Sequence, residues 1–170
     1  DEVQTGVGRT GTLFAFQQYG IRPDVVSFAK GIAGGLPFGG VMANEKCRNV
    51  FSPGTHGTTF GGNPVAAAAA DYVLDRVDDE LMAQGKEKGN YIRRAIAEMD
   101  LPCLGESRGL GLMIGIEVRG DRTNKELVAT LAANGLLCLT AGPGLRLLPP
   151  LVITREETDK GLAIMKATIF

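Results

Sequence analysis

This sequence is poor in histidine and cysteine and carries almost no net charge. His56 is the only histidine in 170 residues, so any histidine-dependent triad or metal site would have to use it. No nucleophile or ligand cluster accompanies it, and it reads as a loop residue. The three cysteines, Cys47, Cys103 and Cys138, are widely spaced without a Cys-x-x-Cys pair, which argues against a disulfide scaffold or zinc site and leaves them as small hydrophobes. A formal charge of −1, with 18 basic and 19 acidic residues interspersed, offers no basic stripe for nucleic acid. The longest uninterrupted apolar run, Val65 to Ala70, is too short to span a bilayer. No signal-peptide pattern opens the chain, so no membrane association and a cytoplasmic setting are expected.

What remains is an ordinary globular composition, 44% hydrophobic and 22% charged, long enough to bury a core. Glycine is abundant: 24 residues, concentrated in 6–11, 31–40 and 54–62, where backbone passes close to something. Lys30 stands at the edge of one such stretch. It ends the run Asp24-Val25-Val26-Ser27-Phe28-Ala29 and opens Gly31-Ile32-Ala33-Gly34-Gly35-Leu36-Pro37-Phe38-Gly39-Gly40. A strand that delivers one amine into a loop nearly free of side chains leaves room for a planar ligand, and such an amine could form an imine. Taken alone, the same lysine could equally cap a strand in water. Its neighbours are Asp1-Glu2-Val3-Gln4-Thr5-Gly6 upstream and Gly57-Thr58-Thr59-Phe60-Gly61-Gly62-Asn63-Pro64 downstream, where hydroxyls and bare amides could hold a phosphate. A carboxylate, a reactive amine and a phosphate cradle suit pyridoxal phosphate, which needs an acid at its ring nitrogen, a lysine for its aldehyde and donors for its phosphate.

These segments, with Ser27-Phe28-Ala29-Lys30-Gly31 and Leu145-Arg146-Leu147-Leu148-Pro149-Pro150-Leu151, occur in order along the whole chain and together resemble class III pyridoxal-phosphate aminotransferases, most like the acetylornithine and ornithine aminotransferases. The resemblance implies an α/β fold, the C-terminal half of a fold-type I large domain followed by a small α+β C-terminal domain. It also implies roles: Asp1 pairs with the pyridinium nitrogen, Gln4 lies near the ring hydroxyl, and Lys30 is the Schiff-base lysine. Thr59, with Thr58 as a substitute, reaches the phosphate of the other subunit of a homodimer, and Arg146 binds a substrate carboxylate. The implied reaction transfers an amino group from N-acetylornithine or ornithine to 2-oxoglutarate in arginine biosynthesis, with amino acids and 2-oxo acids as substrates. Family members are much longer, so the chain is expected to be a C-terminal fragment, without the glycine-rich phosphate turn and the aromatic residue that stacks on the ring. The alternatives are an inactive structural or dimerisation fragment, or a class III transaminase for 4-aminobutyrate or succinylornithine.

Other motifs are weaker. Gly6-Val7-Gly8-Arg9-Thr10-Gly11 matches the dinucleotide G-x-G-x-x-G spelling, but Val3 is the only apolar residue ahead of it, so no strand precedes it, and no acid follows about 20 residues on. Arg146 sits among leucines and prolines, where a guanidinium meets an anion: a substrate carboxylate held by two parallel bonds, or an internal acid. Asp78-Asp79-Glu80 and Glu156-Glu157 read as helix N-terminal charges.

The remaining pattern places a short helix at Leu13–Tyr19, strands at Val25–Ala29 and from Gly40 to Ala43, and a helix from Val65 to Val77 started by Asn63-Pro64. A long amphipathic helix follows over Asp79–Met99, with Gly85 and Gly89 weakening it. Leu110–Val118 reads as one strand, Thr123-Asn124-Lys125-Glu126 as a capping box opening a helix to about Gly135, and Leu136–Thr140 and Leu145–Leu148 as strands. Thr154-Arg155-Glu156-Glu157 begins a closing helix to about Ile169. Residues 1–77 are thus expected to be the C-terminal part of the cofactor-binding large domain, and 78–170 a linking helix with the small α+β domain.

Overall fold

The computed structural model describes residues 1–169, and the chain divides into two units, Asp1–Met82 and Ala83–Phe170. In the first unit, turns over the opening residues lead to a 3-10 turn at Ala15–Tyr19, β1 (Val25–Phe28), a second 3-10 turn at Lys30–Ala33, β2 (Gly40–Ala43) and α1 (Pro64–Arg76). The strands β1 and β2 pair antiparallel, from Val25↔Ala43 to Phe28↔Gly40. Gly40 is required in that pairing, since a Cβ there would stand 2.6 Å from the Phe28 ring. Phe28 in turn meets Phe14, which stacks on Phe16 with ring centroids 5.8 Å apart.

The Asn63-Pro64 start is realised as the sequence asks. The Asn63 side-chain oxygen accepts from the N–H groups of Val65 (3.0 Å) and Ala66 (3.1 Å), satisfying donors that the helix itself cannot. Ala66 and Ala70 are buried, and α1 packs on the Lys30–Ala33 turn, an approach that larger side chains at those positions would block. Asn63→Ala should therefore cost about 1 kcal/mol, read as a lower denaturation midpoint in urea with unchanged slope.

In the second unit α2 (Asp79–Glu98), which begins in the first, runs on and is followed by β3 (Leu104–Leu110), β4 (Met113–Val118), α3 (Asn124–Ala133), β5 (Leu139–Ala141), β6 (Gly144–Leu147) and α4 (Arg155–Ile169). The four strands lie in the order β3-β4-β6-β5, all neighbours antiparallel. One face of this sheet carries Ile114, Ile116 and Leu145, which join Ile92, Ile96, Leu127, Leu131, Leu162 and Met165 of the helices in a single buried cluster. Alternation in the strands and 3.6-residue spacing in the helices supply the two halves of that core.

Both capping boxes form. The Thr123 N–H donates to Glu126 at 2.7 Å and Thr154 N–H to Glu157 at 2.8 Å, while the Glu126 and Glu157 N–H groups return bonds to the threonine hydroxyls. The backbone donors of Thr123 and Thr154 hold both carboxyls below their usual range. Arg155 lies 3.5 Å from the Tyr91 ring centroid and bonds Asp159 at 3.1 Å, while the Tyr91 hydroxyl also donates to Asp159, pinning α2 to the start of α4.

Two segments depart from the pattern reading. The single strand expected over Leu110–Val118 is half of a hairpin, because the chain reverses at Gly111 (φ +50) and buries Leu112 in the turn. Its partner β3 escapes notice because a register shift between Leu104 and Ser107 breaks the two-residue alternation. Likewise the strand expected from Leu136 begins only at Leu139, since Gly135 (φ +91) and the bond from Leu136 N–H to the Leu131 carbonyl (2.9 Å) close the end of α3.

Candidate active site

Lys30 follows an extended Ala29 (φ −163) and turns sharply into φ +52. That left-handed conformation costs a residue with a Cβ about 1–2 kcal/mol, and glycines stand on its C-terminal side that could have taken it without strain. Ile32 and Ala33, both buried, anchor the turn, and Gly34 (φ +60) closes it with a bond to the Gly31 carbonyl at 3.3 Å. The lysine itself is exposed. A strained backbone that lifts one amine off the end of a strand is the kind of outlier found where a side chain is needed at a fixed place.

The opening residues lie along the same strand. Glu2 N–H donates to the Ser27 carbonyl at 2.9 Å, tying the first turn to β1 three residues before Lys30. Asp1 is exposed, its Oδ1 accepting from Val3 N–H at 2.9 Å, and Gln4 is exposed on the same turn. Gly6 closes that turn onto the Glu2 carbonyl (3.0 Å), and a Cβ on Gly6 would come within 2.8 Å of that oxygen. Pattern reading missed two residues here. Glu2 is only 6% exposed, and its carboxylate accepts from Phe16 N–H at 2.9 Å and from the Thr5 hydroxyl, so it clamps the turn that presents Asp1. Val7 adopts φ +55, rare for a β-branched residue, and packs 3.9 Å from where a Gly31 Cβ would stand. The acid beside Asp1 was a visible signal for Glu2; nothing in the residue type signals Val7. Strained Val7 thus stands beside Gly31, the residue that follows strained Lys30.

This arrangement also removes the dinucleotide reading of Gly6–Gly11. Turns occupy both sides of it, with only a 3-10 turn at Ala15–Tyr19 following, whereas the fingerprint needs a strand before and a helix after. Thr58 and Thr59 lie in an exposed stretch that ends on the Asn63 cap of α1, and Thr58 folds back so closely on Gly61 that a Cβ there would stand 2.1 Å from its methyl. His56 sits earlier in this stretch, its ring 5.5 Å from that of Phe51.

Arg146 belongs to the second unit. On β6 it pairs with Gly115 of β4 and Leu139 of β5, and it borders a largely apolar cavity of about 410 Å³ with Leu139, Leu147, Pro149 and Glu157. Burial raises the thiol pKa of Cys138 along the same wall.

The family model described as "Aminotransferase class-III" matches residues 1–169. The chain belongs to the class III aminotransferases. Among curated class III relatives, the acetylornithine aminotransferase of Lactococcus lactis subsp. lactis is 44% identical over 98% of this chain and 45% of its own length. Acetylornithine aminotransferase 1 of Bordetella bronchiseptica is 46% identical over 97% and 42%. The crystal structure of acetylornithine aminotransferase from Elizabethkingia anophelis superposes with a TM-score of 0.90 at 38% identity, covering 99% of this chain and 44% of that one. The chain therefore spans less than half the length of the relatives it matches. Class III aminotransferases depend on pyridoxal phosphate, and the donor set fits that group: an exposed amine on a strained turn, a carboxylate at the head of the turn bonded to the same strand, and threonine hydroxyls before a helix N-terminus. No helix among the described residues is long and apolar enough to cross a membrane.

Proposed function

We propose that this class III aminotransferase chain serves the transfer of an amino group from N-acetylornithine or ornithine to 2-oxoglutarate, in arginine biosynthesis, within a cytoplasmic homodimer. The observation that carries the reading is Lys30, held left-handed at the end of β1 and exposed beside the turn that begins at Asp1. The relatives' names support the choice of amino donor. In this reading residues 1–77 belong to the cofactor-binding large domain and 78–170 to the linking helix and small domain.

Bound pyridoxal phosphate supplies an electron sink for the pair released when a C–H bond beside the substrate's amino group breaks. Lys30 would hold the cofactor through Nζ, and the same amine, when free, would take a proton from the substrate carbon and return it as general base and acid. Asp1 would accept a hydrogen bond from the ring nitrogen and favour its protonated form, and Gln4 would serve the ring hydroxyl. Thr59, with Thr58 as a substitute, would donate to the phosphate held by the partner subunit. Arg146 offers its planar fork to a substrate carboxylate through two parallel bonds.

Incubation with pyridoxal phosphate, borohydride reduction and peptide mapping should place the label on Lys30 and leave Lys46 and Lys88 unmodified. Lys46 is paired with Asp24 at 3.1 Å and Lys88 donates to the Leu151 carbonyl at 3.2 Å, so neither amine is presented as Lys30 is. A label spread over the surface lysines, or absent altogether, would leave the chain as a structural part that binds no cofactor alone.

A further inference from the structure

Glu2 is the one charged side chain buried among the described residues, only 6% exposed. Taking a carboxylate out of water is costly unless its oxygens are bonded, and here every polar group of the residue is engaged. One carboxylate oxygen accepts from Phe16 N–H at 2.9 Å and the other from the Thr5 hydroxyl. The Glu2 N–H donates to the Ser27 carbonyl of β1 at 2.9 Å, and its carbonyl accepts from Gly6 N–H at 3.0 Å. The opening turn, the 3-10 turn at Ala15–Tyr19 and β1 are thereby joined at a single residue.

The bonds continue into a closed circuit. Thr10, 2% exposed, sends its hydroxyl to the Thr5 carbonyl at 3.4 Å, and its own carbonyl accepts from the Gln18 amide at 3.0 Å. Gln18 also reaches the Thr12 hydroxyl at 3.2 Å, which donates to the Phe14 carbonyl at 2.8 Å. Phe16 lies two residues before Gln18 on the same 3-10 turn, and its N–H returns to Glu2. The segment spelled like a dinucleotide loop is thus one side of a polar clasp. Asp1 stands at the free end of that clasp, exposed, with its Oδ1 on Val3 N–H at 2.9 Å, and Lys30 follows the clasped Ser27 by three residues. The Glu2 carboxylate is spent inside the clasp, so its influence on a ligand runs through Asp1.

We propose that Glu2 is a positioning residue: its buried carboxylate locks the clasp and so sets where the Asp1 carboxylate meets the ring nitrogen of pyridoxal phosphate. The inference rests on the reading of Asp1 as the ring acid and adds the residue that aims it. Side-chain length and acceptor geometry are what Glu2 contributes. Glutamine keeps both, since its carbonyl oxygen can accept from Phe16 N–H while its amide donates to the Thr5 hydroxyl oxygen; aspartate is a methylene short of reaching the two.

The test compares pyridoxal phosphate with its 1-deaza analogue, which carries C–H in place of the ring nitrogen and keeps the aldehyde and the phosphate. Each is titrated into the chain and fixed with borohydride, and the label on Lys30 is quantified by peptide mass. Wild type should prefer the natural cofactor by about tenfold, the scale of one charge-assisted hydrogen bond. Glu2→Ala and Glu2→Asp should erase that preference while leaving labelling by the analogue unchanged, and Glu2→Gln should retain it. A role confined to stability would weaken both compounds alike and leave their ratio at the wild-type value, which overturns the proposal, as does a loss in Glu2→Gln equal to that in Glu2→Ala. Asp1→Asn separates the two readings. If it leaves the ratio unchanged, Asp1 is not the ring acid and both readings fall; if it erases the ratio while Glu2→Ala and Glu2→Asp do not, the role of Glu2 falls alone. A wild type that shows no label, or no preference, overturns both. Far-ultraviolet circular dichroism checks the fold of each variant, and the contrast of Glu2→Gln with Glu2→Asp decides the matter even where alanine unfolds the turn.

Discussion

Lys30→Ala is expected to abolish covalent pyridoxal-phosphate attachment outright, with no loss of fold. The side chain is exposed and absent from the buried core, so its removal forfeits no packing. The chemistry needs a primary amine that can bond to an aldehyde carbon, which alanine lacks and which a guanidinium does not replace. Lys30→Arg should therefore fail as completely as alanine while keeping the charge, separating nucleophilicity from electrostatics. Lys30→Gly makes a finer distinction. Glycine accepts φ +52 without a Cβ clash, so relief of about 1 kcal/mol should offset the extra freedom it gives the unfolded chain. All three variants are read by intact mass after borohydride reduction and by urea denaturation. A borohydride-fixed adduct that persists in Lys30→Ala would remove the central assignment.

Gly89→Ala should be the most damaging single-methyl change in the second unit. A Cβ at residue 89 would lie 1.8 Å from the carbonyl oxygen of Gly111 and 2.6 Å from its carbon, so α2 touches the β3–β4 turn backbone to backbone. No flexible side chain is available to yield; either the helix or the hairpin turn must move, and Leu112, fully buried in that turn, would move with it. A loss of about 3 kcal/mol or more is expected, at the upper end for overpacking, and the helix-propensity gain of up to about 1 kcal/mol does not rescue it. Gly85→Ala is the control. It lies on the same helix, a Cβ there would meet nothing within 4 Å, and propensity should make it neutral or stabilising. Thermal unfolding of the two variants side by side decides the matter.

That contrast shows where sequence reading succeeds and stops. The two glycines looked alike as weak points of a helix, because propensity is a local quantity; only the turn carbonyl opposite Gly89 tells them apart. Local chemistry was legible wherever the partner lay a few residues away. Asn63 and Thr123 cap the helices they were read to cap, and Gly40–Ala43 forms the strand it spells. The β3–β4 hairpin was not legible, because a register shift erased the alternation and Leu112, next to the reversing Gly111, looks like strand interior. The placement of the first turn along β1 was likewise out of reach, since it depends on the bond from Glu2 N–H to the Ser27 carbonyl, a non-local contact with no periodic signature. The motif around Lys30 could be spelled out, but its left-handed backbone could not, since any lysine before a glycine carries the same letters.

The ribbon of β1 and β2 has a physical corollary for handling the protein. Val41 and Met42 are consecutive on β2 and therefore point to opposite sides, yet both are exposed, at 65% and 43%, and among the described residues β1 is the strand's one partner. A strand greasy on both surfaces with a free row of peptide groups is a template for further pairing, and an isolated two-stranded hairpin is marginal by itself. For the chain by itself, such an edge is expected to pair with an extended segment of another molecule, which light scattering at rising protein concentration checks.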